Sequence, residues 1–445
     1  MPDSSPDPSG NAQDILIQGA YVLTMDTDLG DLRRGDVHVR GDSIVAVGAD
    51  LTAVAGARII DARDKVVLPG FVDTHWHLWN STLRALVRGD DAQRGYFPIT
   101  LKVGPAFSPQ DSYDAVRLGL AEGLRSGITT VQNWAHNVRS PAHADAELKA
   151  MDESGLRGRF AYGWGQELPL DQLMDLKDLA RVQRQGLPGD GRLQLGAALR
   201  TPVANPRGAV PIEVVAQEFS GVRALGLPMT MHARPGIVTL LQAHGLLGSD
   251  LQLVHPQGIS PDERAHMART GTTMSCSPTI EMLYAQATRG EIQFQELQEA
   301  GVHQSLSVDS SGASANADFF ACMRALLWSH KQRFGARVPL TARRLLQLAT
   351  IDGARDLGLA HLIGTITPGK RADLQIIRMN DLNIAPVFDP VHALVYSGQP
   401  SNVDTVMVDG QILLQGGKPT RWDADALVRE ACLSLQALAS RTGLA

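Results

Sequence analysis

The chain has 445 residues, of which 44% are hydrophobic and 20% charged, with a net charge of -6 at neutral pH. That length exceeds what one compact core usually holds, so one large and one smaller domain are expected. No Lys/Arg cluster offers a basic face for phosphates and no apolar run nears the ~18 residues that span a bilayer, which excludes nucleic-acid partners and membrane embedding and predicts a soluble cytoplasmic protein.

Residues 1–14 (MPDSSPDPSGNAQD) are polar, lack the basic and apolar regions of a signal peptide, and read as a frayed tail. From 15 to 65, the runs ILIQGAYVLTM, DVHVRGDSIVAVG and ARIIDA alternate apolar residues between Gly and Asp turns and predict a small β unit. Between 66 and 360, short apolar runs alternate with helix-like stretches, the pattern of βα units around a parallel sheet. Eight runs are strand candidates: VVLPGFVD, GITTVQN, GRFAYGW, LQLGAAL, PMTMHA, LQLVH, TTMSC and HQSLSVD. Ser108-Pro109 and Ser260-Pro261 punctuate helix starts, with Ser at the N-cap and Pro in the first turn. Eight strands with crossovers fit a closed (β/α)8 barrel, an α/β fold, better than an open sheet. The stretch 79–107 is too irregular for a plain crossover and is predicted to cover the barrel mouth. Strand texture returns from 361 to 422, with Asp409-Gly410 as a hairpin turn, so the two chain ends are expected to complete one β-sandwich. Residues 423–445 predict an amphipathic helix packed on the outside. Cys276, Cys322 and Cys432 are odd in number and scattered, which argues against a disulfide framework or a thiolate metal site and for a reducing compartment.

His75-Trp76-His77 follows the first barrel run, with only Thr74 between. Side chains at i and i+2 of a strand point the same way, so the two imidazoles make half of a metal site. His232 in PMTMHA and His255 in LQLVH stand at the C-terminal ends of their strands, where barrel active sites assemble. A lone histidine is more often a hydrogen-bonded core or surface residue, and the repeated strand-end position is what singles these out. Asp309 ends HQSLSVD before the small-residue loop Ser310-Ser311-Gly312 and supplies a carboxylate. Imidazoles with one Asp suit a divalent ion, Zn²⁺ first and Fe²⁺ or Mn²⁺ as alternatives. Trp76, Trp79, Trp134 and Trp164 also gather at strand ends, pointing to a flat or apolar small-molecule ligand or to barrel-top packing, with Gln166 as a candidate hydrogen bonder.

With LPGFVDTHWHL, GITTV, MHA, LVH, SVDSSG and the closing LATIDGARDLGLAHLIGTITPGKRADLQII in this order, the chain resembles the amidohydrolase superfamily, in particular its cytosine-deaminase-like and chlorohydrolase-like members. The resemblance spans nearly the whole chain and implies a (β/α)8 barrel with a β-sandwich built from both ends. It implies one metal on His75, His77, His232 and Asp309, with His255 beside the metal-activated water or the substrate. LQLGAALR has no lysine, so the carbamylated bridge of binuclear members is absent. Asp309 would take the proton of water and pass it to the leaving group. The family also implies a homo-oligomer, a dimer or larger.

One departure stands out. Deaminases of this family carry H-x-x-E after strand five, whereas this chain has His232-Ala233-Arg234-Pro235, and P-x-S-N after strand seven is replaced by Pro278-Thr279-Ile280-Glu281. Glu281 and His136 are the candidates to supply the missing acid/base group, against readings as a solvated loop or helix-start glutamate and a loop hydrogen bonder, and a substrate with a good leaving group would need neither. Arg234 is a candidate to bind a carboxylate or carbonyl of the substrate, against a surface ion pair. The expected reaction is hydrolysis of a non-peptide carbon–nitrogen bond, or loss of a related leaving group such as a halide, on a small cyclic or heteroaromatic substrate. The alternatives are a metal-dependent lyase or decarboxylase in which Arg234 holds an acid, and a non-catalytic ligand-binding relative, against which the complete metal shell counts.

Overall fold

The computed structural model describes residues 14–88, 91–202, 208–284, 290–314 and 316–444. Of the tail expected at 1–14, only Asp14 falls within them, and it opens a strand. Strands β1 (Asp14–Val22), β2 (Leu32–Arg40), β3 (Ser43–Gly48), β4 (Arg58–Asp61) and β5 (Lys65–Pro69) come first. At Gly70 the chain leaves this sheet for the barrel. A Cβ there would stand 2.1 Å from the Thr129 side chain, so the crossing requires glycine. The run VVLPGFVD is therefore two strands, VVLP in β5 and FVD opening the first barrel strand.

The eight barrel strands are β6 (Phe71–Trp76), β7 (Ile128–Ala135), β8 (Arg157–Tyr162), β9 (Leu193–Leu199), β10 (Met229–His232), β11 (Leu251–Val254), β12 (Thr273–Cys276) and β13 (Gln304–Leu306). Each pairs in parallel with the next. The seam closes just past β13, where Asp309 N–H donates to His75 O (2.9 Å) and His77 N–H donates to Asp309 O (2.8 Å). Ser108 and Ser260 cap their helices with reciprocal boxes, as the Ser-Pro pairs predicted. Much of the barrel interior is polar: Thr74 Oγ1 lies 2.8 Å from Ser275 Oγ and 2.7 Å from Ser305 Oγ, and Gln132 Nε2 donates to Gln252 Oε1 (2.7 Å). These groups satisfy one another, so their burial carries little penalty.

After the barrel, β14 (Leu374–Arg378), β15 (Val403–Val408), β16 (Gln411–Gln415) and β17 (Lys418–Pro419) finish the first sheet. Its order is β17-β16-β15-β14-β5-β1-β2-β3, with β4 on β1, so both chain ends share one mixed sheet. Asp409 (φ 47°) and Gly410 (φ 72°) form the β15–β16 hairpin with the two left-handed residues that the strand twist favours. The sheet has its own core of Ile15, Ile17, Val37, Val39, Leu374 and Ile376. Arg157, at the base of β8, is buried and donates from Nε to Asp373 (2.8 Å) just before β14, tying barrel to sheet. The irregular segment forms short helices whose Trp79, Leu83, Ile99 and Val103 pack with Leu438 of the C-terminal helix Ala424–Thr442.

Glu147, on the helix Pro141–Ser154, faces β7 and is wholly buried, its Oε2 accepting from Asn133 Nδ2 (2.8 Å). Burial pushes its carboxyl up to about 8 from 4.5. Between those values the folded chain holds a proton that the unfolded chain has released, so this group's contribution to stability falls as pH rises through that window. Glu147→Gln keeps the acceptor for Asn133 and removes the titration. The variant is expected to melt several degrees above the parent at pH 9 and near it at pH 5, measured by calorimetry; parallel pH profiles would refute the buried-acid account.

Candidate metal centre

Strand alternation alone does not bring His75 and His77 inward. Thr74 faces the interior, as its bonds to Ser275 and Ser305 require, so a regular strand would send His75 outward and Trp76 inward. A bulge reverses the phase: β6 pairs Asp73 with Val131 but Trp76 with Asn133, three residues against two. Asp73 holds it, accepting His75 N–H at Oδ1 (3.0 Å) and Val308 N–H at Oδ2 (3.2 Å). Trp76 then packs outward against Gly123 of the helix Pro109–Arg125, while both imidazoles turn to the barrel mouth. Asp73 was missed by sequence reasoning. A carboxylate closing an apolar run was the available signal, because such a group is buried only with partners.

His232 ends β10, and His255 and Asp309 follow β11 and β13 by one and three residues. Both His255 (φ 77°) and Asp309 (φ 71°) are left-handed, a conformation that costs on the order of 1 kcal/mol or more and clusters at functional sites. The ligand-capable atoms of His75, His77 and His232 lie within 4.8 Å of one another, as do those of His75, His255 and Asp309. Asp309 Oδ1 stands 3.2 Å from His77 Nε2 and 3.5 Å from His75 Nε2, and Oδ2 stands 3.6 Å from His255 Nε2. His77 turns Nδ1 toward Trp134 O (3.4 Å), leaving Nε2 for the centre. Apart from that approach to Asp309, neither ring nitrogen of the buried His75 has a hydrogen-bond partner among the described residues.

Burial, reinforced by neighbouring imidazoles, pushes His75 down to about 3 and His136 and His232 well below the usual histidine range, so these rings are neutral and present lone pairs. Burial by itself would raise Asp309, yet hydrogen bonding from His75 and His77 holds it well below the carboxylate range. Neutral imidazoles around an ionised carboxylate are the donor set that a divalent cation takes.

The remaining candidates surround this group. Trp134 is buried against His232 (centroids 4.1 Å apart) and His77 (4.8 Å), with the partly exposed Trp164 edge-on beyond it at 5.6 Å. Trp79 is fully buried and reaches the site through its indole, which donates to His136 Nδ1 (3.1 Å). His136 Nδ1 also lies 3.3 Å from Trp134 O, and its Nε2 lies 2.9 Å from Gln166 Nε2. Glu281, in the first turn of the helix Pro278–Tyr284, is buried behind His255, with Oε1 3.2 Å from His255 Nδ1. Arg234 is half-buried in the loop after β10, two residues past His232. Cys276 is a second residue that sequence reasoning did not single out; its Sγ donates to Glu281 Oε2 (3.0 Å), a contact across five residues with no local signature.

A closed eight-stranded barrel with imidazoles and a carboxylate converging at its C-terminal mouth defines a metal-dependent hydrolase of the amidohydrolase type, acting on carbon–nitrogen bonds other than peptide bonds. The profile described as "Amidohydrolase family" matches residues 66–413, and the chain belongs to that family. Among curated relatives it is 29% identical over 442 residues to 5'-deoxyadenosine deaminase of Methanosarcina mazei, covering 96% of this chain and 99% of the relative. It is 26% identical over 434 residues to 5-methylthioadenosine/S-adenosylhomocysteine deaminase of Pelotomaculum thermopropionicum, covering 94% and 97%. In fold it is similar to an adenosine deaminase from Xanthomonas campestris with bound zinc, at TM-score 0.82 and 23% identity over 96% of this chain and 99% of the other. It is similar also to atrazine chlorohydrolase from Arthrobacter aurescens TC1 complexed with zinc, at TM-score 0.81 and 22% identity over 95% and 100%. Among the described residues no helix is long and apolar enough to cross a membrane.

Proposed function

We propose that the chain is a mononuclear aminohydrolase that replaces an amino group on a small heteroaromatic ring with the oxygen of water. In this reading His75, His77, His232 and Asp309 hold one divalent ion, with zinc the first choice. The observation that carries it is a pair of donor groups that share His75, one with His77 and His232 and one with His255 and Asp309, with both nitrogens of buried His75 lacking any partner but Asp309 among the described residues. Leaving such atoms unsatisfied costs about 1–3 kcal/mol each, and a cation with N/O preference relieves that cost. When bound, the ion supplies the Lewis acidity that makes water a nucleophile at neutral pH.

The chain's own residues do the rest. Asp309 Oδ2 is the proton acceptor, and His255 Nε2, 3.6 Å from it, borders the same space. Trp134 and Trp164 form an aromatic wall suited to a flat ring, with Arg234, Gln166 and His136 the candidates to meet its polar edge. The names of the relatives, deaminases of adenosine derivatives, favour an aminated purine over the halide alternative. Pro235 brings no acid, so proton delivery to the ring or leaving group falls to the groups around Asp309 and His255. A reducing cytoplasmic setting agrees with the three free cysteines, and the fully exposed Leu382 and Phe388 suit assembly as a homo-oligomer.

The test is ammonia release from a panel of aminated purines, pyrimidines and triazines, with metal analysis of the same preparation. About one ion per chain and ammonia release on at least one ring class are expected. Carbon dioxide without ammonia would replace this reading with the lyase, and absence of both metal and turnover with a ligand-binding relative.

A further inference from the structure

We infer that Glu281 is a positioning residue for this reaction: its carboxylate fixes His255 with the proton on Nδ1, so that Nε2 faces Asp309 as a proton acceptor. The inference rests on the aminohydrolase reading and explains how proton transfer proceeds with proline at position 235.

Both oxygens of Glu281 are committed. Oε1 accepts the Ser277 peptide N–H (2.7 Å) and stands 3.2 Å from His255 Nδ1, and Oε2 accepts from Cys276 Sγ (3.0 Å). A peptide N–H can only donate, so Oε1 is an acceptor and the His255 nitrogen facing it carries hydrogen. Burial drives the Cys276 thiol pKa well up, which keeps it a donor. A neutral imidazole with its proton on Nδ1 presents a lone pair at Nε2. That atom lies 3.6 Å from Asp309 Oδ2, too far for a direct hydrogen bond and close enough for a proton-bearing atom between them. Glu281 and His255 are both buried, so no bulk water competes for the pairing.

The left-handed backbone of His255 (φ 77°) turns the ring toward the mouth, and Glu281 fixes its rotation from behind. Among the described residues the Glu281 carboxylate is paired with His255, Cys276 and Ser277 and not with Asp309, so it acts through His255. The carboxylate absent from the loop after β10 thus has a counterpart after β12, on the far side of an imidazole. In the hydrolysis, an O–H bond of water breaks as the carbon–oxygen bond forms, and Asp309 Oδ2 takes that proton. Through the proton-bearing atom between them His255 Nε2 receives it, and releases it to the nitrogen that leaves as ammonia when the carbon–nitrogen bond breaks. The imidazolium formed in between is stabilised by the Glu281 charge.

Glu281→Gln keeps the shape and removes the charge. It is expected to lower kcat by about 10- to 100-fold with KM within about twofold and metal content unchanged. In the metal-free protein, proton NMR should show a far-downfield N–H resonance that His255→Gln abolishes and Glu281→Gln also abolishes. Cys276→Ala removes only a donor to the carboxylate, and should retain the resonance and lose less activity, which keeps the test informative if Glu281→Gln folds poorly. An unchanged kcat in Glu281→Gln, or survival in that variant of the resonance lost in His255→Gln, overturns the inference. Should the parent protein show neither metal nor ammonia release, the aminohydrolase reading fails, while the resonance still decides the Glu281–His255 pairing.

Discussion

Asp309→Asn is expected to reduce kcat by about 10²- to 10⁴-fold, the range that a positioned general base contributes. The substitution is unusually clean at this position. Asp309 has φ 71°, and asparagine is among the residues that tolerate the left-handed region, so the backbone at the barrel seam is preserved. The introduced amide retains an oxygen that can face His75 and His77, whereas its nitrogen has no lone pair with which to take a proton at the edge facing His255. Turnover should therefore collapse while folding is kept and part of the metal is retained. Steady-state kinetics with metal analysis and a thermal melt make the check; a kcat within about tenfold of the parent would remove Asp309 from the chemistry.

His75→Gln should weaken metal binding by more than about 100-fold, beyond the 10- to 100-fold typical of changes to groups that merely orient a ligand. Zinc at 1,000 times its dissociation constant stabilises a folded protein by about 4 kcal/mol, so the parent's melting point should rise on zinc addition and that of His75→Gln should not. The metal-free parent carries a further signature. His75 titrates at about 3 in the folded chain because burial and His77 disfavour its charge, against 6.5 for a free imidazole. Between these values the unfolded chain binds a proton that the folded chain refuses, so stability is fully present above 6.5 and is lost as pH falls toward 3. Replacing His75 removes that component, and the metal-free variant should melt with a shallower acid limb. Equal zinc responses in parent and variant would show that His75 is not a ligand.

The architecture was legible because it is written in short-range pattern. Seven of the eight apolar runs became barrel strands and the eighth opened one with its second half, the Ser-Pro pairs became capped helix starts, and Asp409-Gly410 became the expected hairpin. Strand-end position likewise brought His75, His77, His232, His255 and Asp309 to one mouth, since every parallel strand of a closed barrel delivers its C-terminal end to the same face. The run VVLPGFVD was read as one strand because Val, Leu and Phe carry the same signal on either side of a glycine, and only the clash at Thr129 shows that the chain changes sheets there.

What the amino-acid order determined by itself is the set of strands, their sequence around the barrel and the chemical groups carried to its mouth. Local propensity and alternation act over a few residues and need no knowledge of the rest of the chain. Which way those groups face was decided in three dimensions. The bulge that turns His75 inward depends on Asp73 meeting Val308, 235 residues away, and the seam at Asp309 exists only once β13 returns to β6. Glu281 behind His255 and Trp79 against His136 are likewise contacts between different crossovers, and their geometry follows from the closure and packing of the whole barrel.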